Sequence, residues 1–223
     1  MQVCKTFFLP CAFALGLAGT GVANAQNPFS SMQLNGNATL EGNALQFTNG
    51  LEQAGTAFVK TPIALTYSTG FVSSFQFSAQ VLQGALQADG VAFVIQNDPT
   101  GDLAQSYDGS CLDICTLSNT VALEFLSYTN NQVALYVNGQ QTSVGFELGS
   151  QTDVVDVTIA YAQIIKTLIF SAFNEKTGVL IEHSFPIDLQ ATLGPSAYIG
   201  FSGASGGTAS LQTINNWQFY YIP

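Results

Sequence analysis

Arginine is absent from the 223 residues, and four lysines face fourteen acids, for a formal net charge of −10. That balance lacks the basic footprint that nucleic acid or an anionic membrane surface requires, so both are excluded as partners. Histidine is nearly absent too. His183 is the only one, so any serine or cysteine nucleophile would have to share that single base. It sits in Ile181-Glu182-His183-Ser184-Phe185, an alternating run that reads as a strand with the imidazole toward solvent. No G-x-S-x-G nucleophile elbow occurs. Charged residues are only 8% of the chain, so solubility rests on Asn, Gln, Ser, Thr and Gly. No stretch after residue 25 reaches about 18 uninterrupted apolar residues, so no membrane span is expected.

Residues 1–25 read as a secretory signal peptide. Lys5 lies in the n-region, Phe7 to Ala18 form a short apolar core, and Ala23-Asn24-Ala25 is a small-x-small cleavage site. Thr20 rather than Cys follows Leu17-Ala18-Gly19, which argues against a lipoprotein anchor. The working part is then a single domain over 26–223, secreted or extracellular; a periplasmic or cell-surface place fits the same leader. Cys4 and Cys11 leave with the leader. Cys111 and Cys115 remain and, in an exported chain, are expected to pair and close a small loop. Their spacing also fits half a metal site, but no second Cys or His pair exists to complete it.

What the sequence does have is short runs of Val, Ile, Phe, Tyr and Thr broken by Gly, Asn and Ser clusters, the mark of an all-β fold. Strands are expected at Met32–Leu34, Ala38–Leu40, Ala44–Thr48, Ala54–Lys60, Phe71–Val81, Val91–Gln96 and Thr120–Ser127. More follow at Gln132–Val137, Val154–Tyr161, Thr167–Asn174, Val179–Pro186, Ala197–Gly203 and Asn216–Tyr221. In the Phe71 run, Phe71, Ser73, Phe75, Phe77 and Ala79 share one face. Tyr128-Thr129-Asn130-Asn131 would turn a hairpin, and Leu189–Leu193 is a single helical turn. No linker or internal repeat divides the chain, so one antiparallel β-sandwich is the economical architecture. An outer-membrane barrel would show regular lipid-facing alternation instead.

Gln87–Pro99, QADGVAFVIQNDP, stands out. The apolar run Val91–Ile95 reads as a strand buried on both faces, bracketed by Asp89 and Asp98. Asp89 beside Gly90 is either an ordinary turn acid or an acceptor held at the rim of a rigid sheet. A glycosidase on such a sandwich would need two carboxylates at one groove. Glu124 lies inside the apolar run Val121-Ala122-Leu123-Glu124-Phe125, and its same-face neighbour is Leu126. Read along the strand, no partner acid follows, so no enzyme is expected.

Six motifs in order resemble the L-type, legume-like lectins. These are Leu34-Asn35-Gly36-Asn37-Ala38 after Phe29, Ala54-Gly55-Thr56-Ala57-Phe58-Val59-Lys60-Thr61-Pro62-Ile63, Phe75-Gln76-Phe77, and Ala88-Asp89-Gly90-Val91-Ala92-Phe93. Val121 to Phe125, and Ile199-Gly200-Phe201-Ser202-Gly203-Ala204-Ser205-Gly206 with Trp217-Gln218-Phe219, complete the set. The resemblance implies a concanavalin-like jelly roll with a flat back sheet and a curved front sheet. It implies sugar binding on loops above the front sheet. Asp89, after a cis peptide from Ala88, would accept hydrogen bonds from sugar hydroxyls. Asn130 would add a polar contact, Tyr128 an aromatic face, and Gly109 a backbone N–H. Gly206, Gly207 and Thr208 would tune specificity. Copies of such folds pair through back-sheet edges, which implies a homodimer.

The same comparison implies a calcium and a transition metal (manganese), held by an E-F-D motif with later Asn, Asp and His. Here Glu124 is the remnant of that set. Leu126 replaces the bridging acid, the second acid is missing, and Gln132 stands where the histidine would be. The expectation is therefore a secreted, non-catalytic, metal-independent lectin for glycans, with the Cys111–Cys115 bridge in a neighbouring loop as a substitute support. The alternative is a structural or adhesion module on the same fold that has lost its sugar. Asn37-Ala38-Thr39 is a glycosylation sequon.

Overall fold

Strand β7 (Gly90–Gln96) is buried at every position, and the reason lies in what covers its two faces. The computed structural model describes residues 28–83, 88–106, 111–127, 132–142, 146–147 and 154–223. Before β7 come β1 (Met32–Gly36), β2 (Thr39–Glu41), β3 (Ala44–Thr48), β4 (Gln53–Val59), β5 (Ile63–Ala64) and β6 (Gly70–Gln83). After it come β8 (Thr120–Leu126), β9 (Gln132–Val137), β10 (Gln140–Gln141), β11 (Phe146–Glu147), β12 (Val155–Ala162), β13 (Thr167–Asn174) and β14 (Leu180–Pro186). The helical turn α1 (Leu189–Leu193), β15 (Ser196–Ser205) and β16 (Ala209–Ile222) close the chain. Asp188 caps α1 by accepting from the Ala191 N–H and pairs with Lys166 at 2.7 Å.

Two antiparallel sheets form the sandwich. One runs β1-β4-β15-β7-β8-β9-β10, with β11 on β9 and β5 on β15; the other runs β14-β13-β12-β6-β16-β3-β2. Alternation assigns the inner faces. Phe71, Ser73, Phe75, Phe77 and Ala79 of β6 are all buried, as their spacing predicts. From the opposing sheet Val91, Phe93 and Ile95 enter the same core. Aromatic rings set its middle: Phe75 lies 5.0 Å from Phe201, 6.0 Å from Phe125 and 6.2 Å from Phe93, centroid to centroid. The lone Trp217 stands edge-on to Phe201, and its indole N–H donates to Ser73 Oγ at 3.0 Å.

The other face of β7 presents Ala92 and Val94. These do not meet water, because the segment between β7 and β8 folds back over the sheet. Its Ala104, Leu112, Ile114 and Leu117 pack on Ala92, Val94, Ala122 and Phe58 as a second apolar cluster. A Cys111–Cys115 disulfide closes that cover.

Several sequence expectations need correction. β16 begins at Ala209, not Asn216, and β15 extends to Ser205. β5, β10 and β11 are two-residue strands, too short to show a period. The tip of the β8–β9 hairpin and residues 1–25 lie outside the described residues. Among those described, no helix is long and apolar enough to cross a membrane.

Phe75 touches three rings from the facing sheet, so its loss opens a cavity that neighbours on two rigid sheets cannot fill. Phe75→Ala should lower unfolding free energy by about 3–5 kcal/mol in urea denaturation. A loss below about 1 kcal/mol would contradict this account of the core.

Candidate functional site

Asp89 sits one residue before β7, so the central strand fixes where its carboxyl can be. The Ala88–Asp89 peptide bond is cis. All four backbone polar groups of the pair are hydrogen-bonded. Ala88 N–H donates to Ser210 Oγ at 3.1 Å, and Ala88 C=O accepts from Gln212 Nε2 at 3.1 Å. Asp89 N–H donates to Ala204 C=O at 2.7 Å, and Asp89 C=O accepts from Ser127 N–H at 3.0 Å. Gly90 has φ +146°, and a Cβ there would stand 2.2 Å from the Phe125 carbonyl. Only glycine lets the chain enter the sheet at this point.

The Asp89 carboxyl faces a cleft of about 770 Å³ on the outer face of the nine-stranded sheet. Gly206 and Gly207 form its rim beside Asp89; a Cβ on Gly206 would lie 3.4 Å from Asp89 Oδ2, whereas Gly207 meets nothing within 4 Å. The Gly206 carbonyl accepts from Glu52 N–H, and Ser205 Oγ donates to the Gly50 carbonyl, so the 50–53 turn and the 205–207 loop move as one wall. Leu112, Ile114 and the Cys111–Cys115 bridge form the opposite wall. Ala122, Glu124, Leu126 and Tyr136 line the floor.

Among the described residues the charged groups of the cleft are acids: Glu52, Asp89 and Glu124 line it, and no basic residue does. Glu52, Asp89 and Glu124 come to this cleft from separate segments, and neither Asp89 nor Glu124 is shifted by another carboxyl, desolvation alone raising each. Burial pushes the Asp89 carboxyl up from the usual range. The effect is much larger at Glu124, which is 5% exposed and receives no hydrogen bond from a described residue. Desolvation raises it to about 8, so it is protonated at neutral pH. The Tyr136 phenol is raised first by desolvation and then by Glu124. Asp98 at the far end of β7 differs. Desolvation pushes it up, but hydrogen bonds from Thr100 and Ser118 outweigh that and hold it low. Its Oδ1 accepts from Thr100 and its Oδ2 from Ser118, each through N–H and Oγ. Its acceptors are committed to the loop.

A family model for the legume lectin domain matches residues 23–221. The chain belongs to the legume lectin family. A putative bark agglutinin of Robinia pseudoacacia is 28% identical over 193 residues, 77% of this chain and 68% of that protein. An L-type lectin-domain receptor kinase of Arabidopsis thaliana is 25% identical over 218 residues; the match takes in 85% of this chain but only 30% of the kinase. The lectin UEA-II, solved with galactose, superimposes with a TM-score of 0.75 at 21% identity, covering 87% of this chain and 94% of that one. The concanavalin-like architecture is thus the family's own.

Of the residues singled out in sequence, this legume lectin domain brings Asp89, Gly206 and Gly207 together at the cleft. Thr208 is not among the described residues that line it; its hydroxyl is buried and has no hydrogen-bond partner among the described residues. Gly109, Tyr128 and Asn130 lie outside the described residues. Among the described residues, the donor set at the family's metal position does not match what a calcium–transition-metal pair needs. Beside Glu124, Leu126 offers only carbon, and Gln132 pairs across from Leu126. Calcium needs six to eight oxygens, and the Leu126 side chain supplies none where the family's bridging acid stands. Sequence reading missed Glu52, Gln53, Leu112, Ile114 and Tyr136. Only Tyr136 had a usable signal, since the β8–β9 register places it opposite Ala122, on the same face as Glu124.

Glu124 binds its proton more tightly folded than unfolded, so its contribution to stability is complete below about pH 4.5 and lost as pH rises through about 8. Glu124→Gln removes that slope. The variant should match the parent near pH 4 and exceed it near pH 9 by on the order of 4 kcal/mol, read from urea melts across pH. Parallel stability curves would show that Glu124 is not desolvated in this way.

Proposed function

We propose that this chain is a secreted, non-catalytic lectin that binds glycans through Asp89 without bound metal. Residues 1–25 serve as the export signal and 26–223 as the lectin domain. The observation that carries the proposal is the Asp89 carboxyl itself. It is half-buried and faces an open cleft beside two glycines. Its backbone is fully hydrogen-bonded, and no described residue donates a hydrogen bond to its carboxylate. An acceptor held that way is pre-organised for hydroxyl donors, which a sugar supplies in pairs. The family supports the same chemistry: one relative is named an agglutinin, and a fold neighbour was solved with galactose. Asn130 as a second polar contact, Tyr128 as a stacking face and Gly109 as a backbone donor complete the proposed site, with Gly206, Gly207 and Thr208 in the specificity loop.

The donor chemistry around Leu126 supports the metal-independent reading. The apolar cover of Leu112, Ile114 and Leu117, tied by Cys111–Cys115, fills the outer face of the sheet. Burial can hold a loop as firmly as an ion when several large side chains take part. Hydrolysis would need two carboxyls acting on one bond; Glu124 lies on the floor with Ala122 and Leu126, whereas Asp89 lies at the rim with Gly206 and Gly207.

The test is a glycan array with the purified domain, run with and without EDTA. Binding should persist in EDTA and weaken at least roughly tenfold in Asp89→Ala. Silence across the array would overturn sugar binding and leave the structural or adhesion reading. Loss in EDTA would overturn metal independence. Oligosaccharide turnover abolished by Glu124→Gln would overturn the non-catalytic assignment.

A further inference from the structure

Strand β16 of the seven-stranded sheet has two polar residues where its inward face should be apolar. Ser210, Gln212 and Ile214 alternate toward the interior, and all three are 0% exposed. Burying a serine and a glutamine costs free energy unless each finds partners. Their partners are Ala88 and Ala204 across the sandwich and Thr48 on the neighbouring strand β3. Ser210 Oγ accepts the Ala88 N–H. Gln212 Nε2 reaches the carbonyls of Ala88 at 3.1 Å and Ala204 at 2.5 Å, and Thr48 Oγ1 at 2.9 Å. Thr48 Oγ1 in turn donates to the Ser210 carbonyl at 2.6 Å.

The amide orientation is chemically fixed. Two of the three atoms around Nε2 are carbonyl oxygens, which accept only, so the amide must present its nitrogen there. Its Oε1 then faces no donor, a cost the sequence tolerates to keep the donor in place. The Ala204 carbonyl also accepts from Asp89 N–H. Gln212 therefore grips both the residue before Asp89 and the atom to which Asp89 is bonded.

We infer that Gln212, with Ser210, is a positioning residue for ligand binding: the second sheet sets the direction of the Asp89 carboxyl from behind. The inference rests on the lectin reading for its functional consequence, but the positioning can be read without any glycan. Removal of the Gln212 donor leaves Ala88 C=O unpaired in a buried place, and the Asp89 segment relaxes.

The experiment uses the full domain, with Gln212→Leu as the variant and Ser73→Ala as the control. Ser73→Ala removes the partner of the Trp217 indole, a buried hydrogen bond elsewhere in the same core. Amide hydrogen exchange is followed at Asp89 and Ser127, and Kd is measured for the tightest array glycan, well below each variant's Tm. In Gln212→Leu both amides should exchange faster, and Kd should rise roughly tenfold. Ser73→Ala should lower Tm without moving either readout. Should Gln212→Leu not fold, Ser210→Ala, which truncates a single hydroxyl, carries the same comparison. Unchanged Asp89 and Ser127 exchange, or an equal Kd rise in Ser73→Ala, would overturn the inference. Failure of the parent domain to bind any glycan would overturn the lectin reading, with the exchange result still deciding whether Gln212 positions Asp89.

Discussion

Strand β7 has no solvent-facing side, and the rest of the molecule is arranged to satisfy that condition. One face needs the aromatic layer of the opposing sheet, where Phe71 and Phe75 meet Phe93. The other needs a cover, which the segment after the strand supplies with Leu112, Ile114 and Leu117. Once both faces are filled, β7 cannot slip by one residue without placing Phe93 where Ala92 packs. The residues at its two ends then have fixed addresses. Asp89 opens on a cleft, whereas Asp98 is bound up by Thr100 and Ser118. Two acids that look alike in sequence differ in chemistry because of what their neighbouring loops can donate.

The same cover creates the cleft's electrostatics. An apolar wall beside Glu124 removes water from the carboxyl without offering it a donor. The group remains neutral up to about pH 8, so the floor holds a carboxylic acid rather than a carboxylate under most conditions. Asp89 and Glu52 supply the remaining negative charge, with no lysine to offset it. Under the proposed lectin reading, hydroxyl donors would meet acceptors there, and an anionic ligand would meet like charge.

Much of the fold was legible because its signals are local. The Ala44–Thr48, Gln132–Val137 and Thr167–Asn174 strands have the bounds their patterns indicate. The double burial of Val91–Ile95 is visible as an unbroken apolar run, and Asp188 before Leu189 marks the short helix. β16 was truncated for the opposite reason: Ser210 and Gln212 break the apolar alternation, so a strand start was read only near Trp217. The cleft was only half legible. Ala88-Asp89-Gly90 and Gly206-Gly207 are motif residues, but Glu52, Leu112 and Ile114 reach the cleft through tertiary packing that no spacing encodes. That Glu52 lines the same cleft as Glu124 has no sequence signal, because same-strand periodicity says nothing of turns that come to a sheet from elsewhere in the chain.

The residues that defeated the strand reading are those best placed to matter for the site. A core position given to glutamine is disfavoured by every local rule, and Gln212 keeps an unpartnered Oε1 as well. If it served packing alone, leucine would fill the space with less desolvation and no orphaned atom. What leucine cannot do is donate to the Ala88 and Ala204 carbonyls together. Without that donor the buried Ala88 carbonyl would face an apolar interior. Gln212 serves both carbonyls with one nitrogen. That is why the polar interruption in β16 and the acid at the cleft are better read as one device spanning the two sheets than as separate irregularities.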